Sequence, residues 1–238
     1  MNGFRLMMVL LFSMLVTPVL AEEALSADEL EALFQQAQKV EREGRFIEAM
    51  GLLEKAAKMG HPGAQNSYGY MMHKSGFFEQ SFAMYQKSAD QGNSEAMMRL
   101  GLQYFSGEGV EVDMEKARTL IEQAARAGNF YAYNAIYEAY KHGSLGYELN
   151  EAQALRWLTA ASDAGSATHR RLLAQAYENG ALGLDVDVSR ALDNYKQAAA
   201  AGDRPSIQYL YRVYTEGLLE QVVDPGMAEQ WSPKPKQQ

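Results

Sequence analysis

Apolar residues recur along the chain with the spacing of amphipathic helices, and the same arrangement returns at intervals in the thirties. Five anchor glycines mark the repeat, separated by 32, 36, 37 and 37 residues: Gly60, Gly92, Gly128, Gly165 and Gly202. An apolar or aromatic residue follows each anchor glycine by eight positions and another by twelve, as Leu100 and Tyr104 follow Gly92. A four-residue offset places both on one face of a helix. The pattern therefore predicts one helix with a buried face in each copy.

A second helix is predicted in each copy by its start and stop signals. A glycine that can end the first helix is followed by an Asp or Asn that can cap the next one. In the later copies these residues are Gly107, Gly143, Gly180 and Gly217, and Asp113, Asn150, Asp187 and Asp224. The second helix ends in pairs of small residues, of which Ala124 and Ala125 are one, and small side chains let two helices approach closely. One hairpin cannot bury its apolar face alone, so the copies are expected to stack into a single repeat domain over residues 22–231.

The copy at residues 95–128 resembles the Sel-like repeat, a relative of the tetratricopeptide repeat. It carries the family's features at Leu100-Gly101, Tyr104, Gly107, Gly109-Val110, Asp113, Lys116-Ala117, Ala124-Ala125 and Gly128. The resemblance implies an all-α fold, a right-handed superhelical solenoid of antiparallel helix pairs. It also implies a concave surface, lined by the first helix of each copy, that binds a protein or peptide without catalysis.

The two ends of the chain are predicted to lie outside the repeat domain. Residues 1–21 have one positive charge, an apolar run and small residues before an acidic pair, as in a signal peptide cleaved after Ala21. An uncleaved membrane anchor is the alternative, although the run is shorter than the roughly 20 residues that a spanning helix needs. We expect export to the periplasm, and a disordered tail at residues 232–238, which is rich in Pro, Lys and Gln.

Composition and motifs argue against several other classes of function. The formal net charge is −8, without the Lys/Arg cluster that follows a phosphate backbone, so nucleic acid is not an expected partner. The four histidines lack a second ligand at metal spacing and are expected on the surface or in loops. The chain has no cysteine and no nucleophile or phosphate-binding motif, so we expect no cofactor, no metal and no enzyme activity.

Partner-binding residues are predicted from the resemblance, at six, ten and thirteen positions after the anchor glycines. Met98, Leu102 and Phe105 would form an apolar strip on the concave surface, with Tyr131 extending it. A one-residue error in the alignment would instead turn the strip towards the next copy. Further lining residues are Asn134, Glu138, Arg171 and Gln175. The expected function is that of a periplasmic scaffold or regulatory adaptor; the alternative is an immunity-type inhibitor that neutralises a secreted toxin.

Overall fold

The computed structural model describes residues 25–232, and these residues form twelve helices and no strand. In chain order the helices are α1 Ala27–Arg42, α2 Phe46–Lys58, α3 Pro62–Lys74, α4 Phe78–Asp90, α5 Ser94–Ser106, α6 Met114–Arg126, α7 Phe130–His142, α8 Glu151–Asp163, α9 Ala167–Asn179, α10 Val188–Ala200, α11 Arg204–Glu216 and α12 Pro225–Gln230. The predicted signal peptide and residues 233–238 lie outside the described residues.

Each helix packs mainly against the helices next to it in sequence, so the chain is a row of helix pairs. Odd-numbered helices are the first helices of the copies and even-numbered helices are the second. This confirms the predicted all-α solenoid. In the described part of the chain, no helix combines the length and the hydropathy that crossing a membrane requires.

The predicted helix boundaries are confirmed at the atomic level. Gly107, Gly143, Gly180 and Gly217 end their helices in the left-handed conformation. Each second helix then begins at the expected cap, as where the Asp113 side chain accepts a hydrogen bond from the backbone N–H of Lys116 at 2.9 Å. Asn150, Asp187 and Asp224 do the same for α8, α10 and α12. Such a cap contributes about 1 kcal/mol.

The core lies in the seams between neighbouring helices and is built from small residues facing large ones. Ala124 and Ala125 are fully buried at the end of α6, together with Ile121 of the same helix and Ile136 of α7. The predicted close-contact pair therefore sits in a seam, which explains why the sequence repeats small residues there.

Two glycines set the distance between elements. A Cβ on Gly101, inside α5, would lie 2.8 Å from Ile121 Cγ1 and 3.0 Å from the Ala117 carbonyl oxygen of α6. Gly109, in the loop after α5, has a positive φ, and a Cβ there would overlap the backbone of Phe78 at the start of α4. The loop therefore packs against the preceding copy, and only glycine allows that approach.

The expectation that all histidines lie on the surface or in loops is wrong for His169. This residue is in the first turn of α9 and is only 3% exposed, with its Nδ1 2.7 Å from Ser166 Oγ. Burial lowers the pKa of the imidazole, because the charged form loses its hydration. The other copies carry a small residue at the equivalent position, four residues after the anchor glycine, so nothing in the spacing of the histidines indicated that one was buried.

Candidate partner-binding surface

The predicted apolar strip lies on α5, but its three residues differ in exposure. Leu102 is 37% exposed, whereas Met98 and Phe105 are partly buried. Met98 packs against the buried cluster that contains Ile121 and Ile136. Leu102 is thus the most accessible residue of the strip, and Met98 belongs in part to the seam with the next copy. Partner binding by these residues stays a prediction.

The first turn of α7 presents the most accessible aromatic side chain of the first helices. Tyr131 is 78% exposed, and Asn134, one turn further along α7, is exposed as well. Tyr133 points elsewhere, since its ring lies 5.9 Å from the Trp157 ring in an edge-on arrangement and is partly buried. Tyr131 and Asn134 therefore stay available for contact, while Tyr133 supports the packing of α7 on α8.

Arg99 and Tyr70 form a contact on the first helices that the sequence did not indicate. The Arg99 guanidinium lies 4.4 Å from the centre of the Tyr70 ring, and its Nη2 is 2.6 Å from Glu95 Oε1. Tyr70 is on α3 and Arg99 is on α5, so the contact joins two copies. It shows that the position ten after one anchor glycine meets the position seven after the next, whereas the prediction used only positions six, ten and thirteen.

Two of the predicted charged residues are already paired within the chain. Glu138 lies 3.1 Å from His142 Nε2 and 3.9 Å from Lys141 Nζ, all on α7. Arg171 Nε lies 3.0 Å from Asp203 Oδ2, in an ion pair that lacks the alignment of a hydrogen bond. Asp203 is buried and caps α11, so Arg171 is held in the seam between α9 and α11.

Gln175 is exposed on α9, and Glu178, one turn further along, is occupied by two tyrosines. The Tyr195 hydroxyl donates to Glu178 Oε2 at 2.6 Å, and the Tyr209 hydroxyl donates to Oε1. Burial raises the pKa of both tyrosines, and their bonds to the carboxylate raise it further. The Glu178 carboxylate therefore joins α9, α10 and α11 and is not free for a partner.

The chemistry of this surface is suited to non-covalent contact. Among residues 25–232 no group of three or more His, Asp or Glu side chains is placed to hold a metal ion. The exposed residues are instead an aliphatic side chain at Leu102, an aromatic one at Tyr131 and amides at Asn134 and Gln175. Rigid helices hold all four.

Comparisons with known proteins identify the repeat. The model of the Sel1 repeat matches residues 45–61, 62–93, 94–129, 131–166 and 171–203, which together make up more than half of the chain. Among solved structures, a Sel1 repeat protein from Oxalobacter formigenes is 27% identical, with a TM-score of 0.67 over 85% of each chain. The helix pairs of the two proteins therefore follow the same solenoid, as the sequence predicted.

Two further proteins are similar over different extents. An immunity protein from Pseudomonas aeruginosa is 18% identical, with a TM-score of 0.54 over 85% of this chain and 79% of that one, which is a likeness of fold. An uncharacterized protein from Neisseria meningitidis serogroup B is 43% identical over 61 residues. Those residues are 26% of this chain and 13% of that relative, so this chain matches only a small part of the relative's length.

The matched segments follow the helix pairs of the structure. Segments 62–93 and 94–129 each contain one complete pair, α3 with α4 and α5 with α6, whereas the segment 45–61 contains α2 alone and the last two segments begin inside α7 and α9. The loop glycines and capping residues of the repeat are those that fix the helix boundaries. Sel1 repeats mediate protein–protein interaction, and the proteins built from them are generally non-catalytic scaffolds. This chain belongs to the Sel1 repeat family.

Proposed function

We propose that the protein is a non-enzymatic scaffold or regulatory adaptor that binds a protein or peptide through its first helices. The observation that carries this proposal is the exposure of Leu102 and Tyr131 on α5 and α7, the first helices of consecutive copies. An aliphatic and an aromatic side chain, each on a rigid helix, can be buried by a partner with little loss of side-chain entropy.

The exposed amides beside these residues support the same function. Asn134 lies one turn from Tyr131, and Gln175 is at the equivalent surface of α9. Amides donate and accept hydrogen bonds, and they can fix the orientation of a peptide backbone without the desolvation cost of a charge. Arg171 and Glu138 contribute less in this proposal, because ion pairs within the chain already occupy them.

The proposed compartment is the periplasm, and it rests on residues 1–21. The apolar run followed by small residues is typical of a signal peptide. The proposal predicts a mature protein that begins at Glu22. N-terminal sequencing of protein released from the periplasm tests it, and full-length chain retained in the membrane fraction would contradict it.

An immunity-type inhibitor is the second candidate. It is supported by the fold that this chain has in common with the Pseudomonas immunity protein, which at 18% identity concerns the fold alone. The two candidates differ in what the captured partner does. A secreted toxin that loses its activity on stoichiometric binding would favour the inhibitor, whereas an endogenous envelope protein would favour the scaffold.

Site-specific photocrosslinking in living cells tests the binding surface. A photoreactive amino acid replaces Tyr131 or Leu102, and a matched variant carries it at Thr119, which is exposed on the second helix α6. We expect crosslinked partners from the first two positions and not from Thr119. Equal products from all three positions would show that contact is not specific to the first helices.

Truncation then measures the energetic contribution. Replacing a true anchor by alanine weakens binding by on the order of 2 kcal/mol, or roughly thirtyfold. Phe105→Ala and Met98→Ala serve as comparisons, since both side chains are partly buried and their loss should lower stability. If Tyr131→Ala and Leu102→Ala bind as the wild type does, the proposed anchor is wrong.

A further inference from the structure

Exposed apolar side chains recur at one edge of the solenoid, in addition to those on its first helices. At this edge the first helices end and the second helices begin. Immediately before each capping residue of the last four second helices stands an aliphatic side chain that is more than half exposed; we call these four the apolar edge: Val112, Leu149, Val186 and Val223. Phe77, at the start of α4, is half-exposed and extends the edge to the preceding copy.

The same backbone hydrogen bond places each member of the apolar edge. The N–H of Asp113 donates to the Tyr104 carbonyl at 2.9 Å, and the corresponding bonds of Asn150, Asp187 and Asp224 measure 2.7, 2.9 and 2.9 Å. Because the loops are fixed in the same way, the four side chains occupy equivalent positions in successive copies and form one row.

Packing within the chain explains only part of this row. A Cβ on Gly107 would lie 2.9 Å from Val112 Cγ2, and one on Gly180 would lie 3.1 Å from Val186 Cγ2, so each valine covers the glycine that ends the preceding helix. The outer face of each side chain nevertheless stays in water. A residue whose only role were to cover the glycine would not need to be exposed in every copy.

The charges of the loops at the apolar edge are negative. The four loops at residues 107–113, 143–150, 180–187 and 217–224 contain eight Asp or Glu and no Lys or Arg. Two of these carboxylates, the caps Asp113 and Asp187, pair with Lys116 and Arg190 in the following helices. Glu111, Glu148 and Asp185 each directly precede an edge residue and are exposed, and within the described residues they make no ion pair. Their carboxylates also lie outside the helices, so they are not needed as caps. The row therefore alternates apolar side chains with unpaired negative charge.

We infer that the apolar edge is a second binding surface, and that it takes an extended, positively charged polypeptide segment of a partner protein. The loops of consecutive copies contact each other, since a Cβ on Gly109 would overlap Phe78 before it and one on Gly146 would lie 3.6 Å from Met114 Cβ. Packed elements lie about 8–10 Å apart, so successive edge residues are separated by roughly 10 Å. A polyproline-type segment rises about 3.1 Å per residue and covers that distance in about three residues. An apolar side chain at every third position would meet each edge residue, and a Lys or Arg between them would meet Glu111, Glu148 or Asp185.

Charge also argues against the other occupants of an apolar row. An anionic lipid surface or a nucleic acid would be repelled by the loop carboxylates that have no cationic partner, among them Glu111, Glu148 and Asp185. A second copy of this chain, placed edge to edge, would bring two rows of the same negative charge together. A cationic segment is the occupant for which both the apolar and the charged components are favourable.

Three labelled twelve-residue peptides, measured by fluorescence anisotropy against the full mature chain, test the inference. The first repeats Leu-Lys-Pro four times, the second repeats Ser-Lys-Pro and the third repeats Leu-Glu-Pro. We expect the first to bind, with an affinity that falls as salt is added, and the other two to bind at least about tenfold more weakly. Equal binding by the Ser-Lys-Pro peptide would reduce the edge to a non-specific acidic surface and overturn the inference, as would no binding by the first peptide.

Two variants and a charge-matched control locate the contact. Val112→Ser/Leu149→Ser/Val186→Ser removes the apolar component, and Glu111→Gln/Glu148→Gln/Asp185→Asn removes three charges without touching the packing. The control, Asp28→Asn/Asp90→Asn/Asp163→Asn, removes three exposed charges at the opposite edge. We expect at least a tenfold loss of affinity for the first two and wild-type affinity for the control.

The charge variant keeps the test decisive if the serine variant unfolds. An equal loss in the control, or no loss in the charge variant, would overturn the inference. Self-association of the peptide-free chain that the serine variant abolishes would assign the edge to a second copy and would also overturn it. Because none of these residues lies on the proposed first-helix surface, the crosslinking experiment at Tyr131 succeeds or fails independently.

Discussion

The substitution Gly101→Ala tests the close packing of α5 on α6, because alanine would stabilise an exposed helix but overpack this seam. Alanine in place of glycine inside a helix stabilises it by about 1 kcal/mol when nothing else changes. At Gly101 the new Cβ would lie 2.8 Å from Ile121 Cγ1 and 3.0 Å from the Ala117 carbonyl oxygen. Ile121 is fully buried and Ala117 contributes backbone, so neither can move without shifting α6.

Overpacking a core of this kind costs about 1–3 kcal/mol, which offsets the gain of about 1 kcal/mol in helix propensity and leaves a net loss of up to about 2 kcal/mol. For a chain of this size 1 kcal/mol corresponds to about 2–4 °C, so the melting temperature should fall by up to roughly 8 °C. Thermal unfolding followed by circular dichroism measures the change, and urea unfolding checks its sign.

Gly51→Ala is the matched control. Gly51 also lies inside a helix, α2, but it is exposed, and a Cβ there would meet nothing within 4 Å. The control should therefore gain about 1 kcal/mol while Gly101→Ala loses stability. Equal stabilisation by both substitutions would refute the close approach of α5 to α6.

Three other predictions follow from the core and the surface. Ala125→Leu should lower the free energy of unfolding by about 1–3 kcal/mol, while Ala83→Leu, on the exposed face of α4, should change it by less than about 0.5 kcal/mol. Denaturant unfolding compares the two variants, and equal values would place Ala125 outside the core. Burial raises the pKa of Tyr85 to about 12, so the stability that depends on its neutral form is complete below pH 10 and is lost as the pH rises towards 12. Tyrosinate absorbance should appear together with unfolding, and full ionisation of the folded protein at pH 10 would contradict this. Tyr131→Ala should keep the wild-type melting temperature but lose partner capture, whereas a lower melting temperature would assign Tyr131 to the core.

The fold could be predicted from the sequence because its signals are local and repeated. A left-handed glycine such as Gly107 and a cap such as Asp113 act within one turn of the chain, so their spacing alone indicates where helices end and begin. The small pair at Ala124 and Ala125 could be placed in a seam for the same reason, since a repeated position in a solenoid has a repeated environment.

The candidate site could be predicted less well, because it depends on contacts between copies that differ in detail. The resemblance indicated which helix surface to consider, yet it could not show that Asp203 holds Arg171 or that Arg99 lies over Tyr70. The apolar edge was also missed, although its members follow a period of 37 residues. Outside the first helices a repeated apolar residue indicates a core position, and exposure cannot be read from residue type.

The arrangement of contacts also determines how the molecule bends. Each helix touches little beyond its neighbours in the row, so any contact between distant copies within residues 25–232 is slight. A small rotation between two helices at one seam therefore moves all the copies that follow, and rotations at successive seams add to change the curvature of the solenoid. A partner that spans several copies selects one of the accessible curvatures. Stiffness is consequently a property of the seams, and a substitution in a seam such as Gly101→Ala would change the range of partner shapes that the surface accommodates without altering any residue that touches the partner.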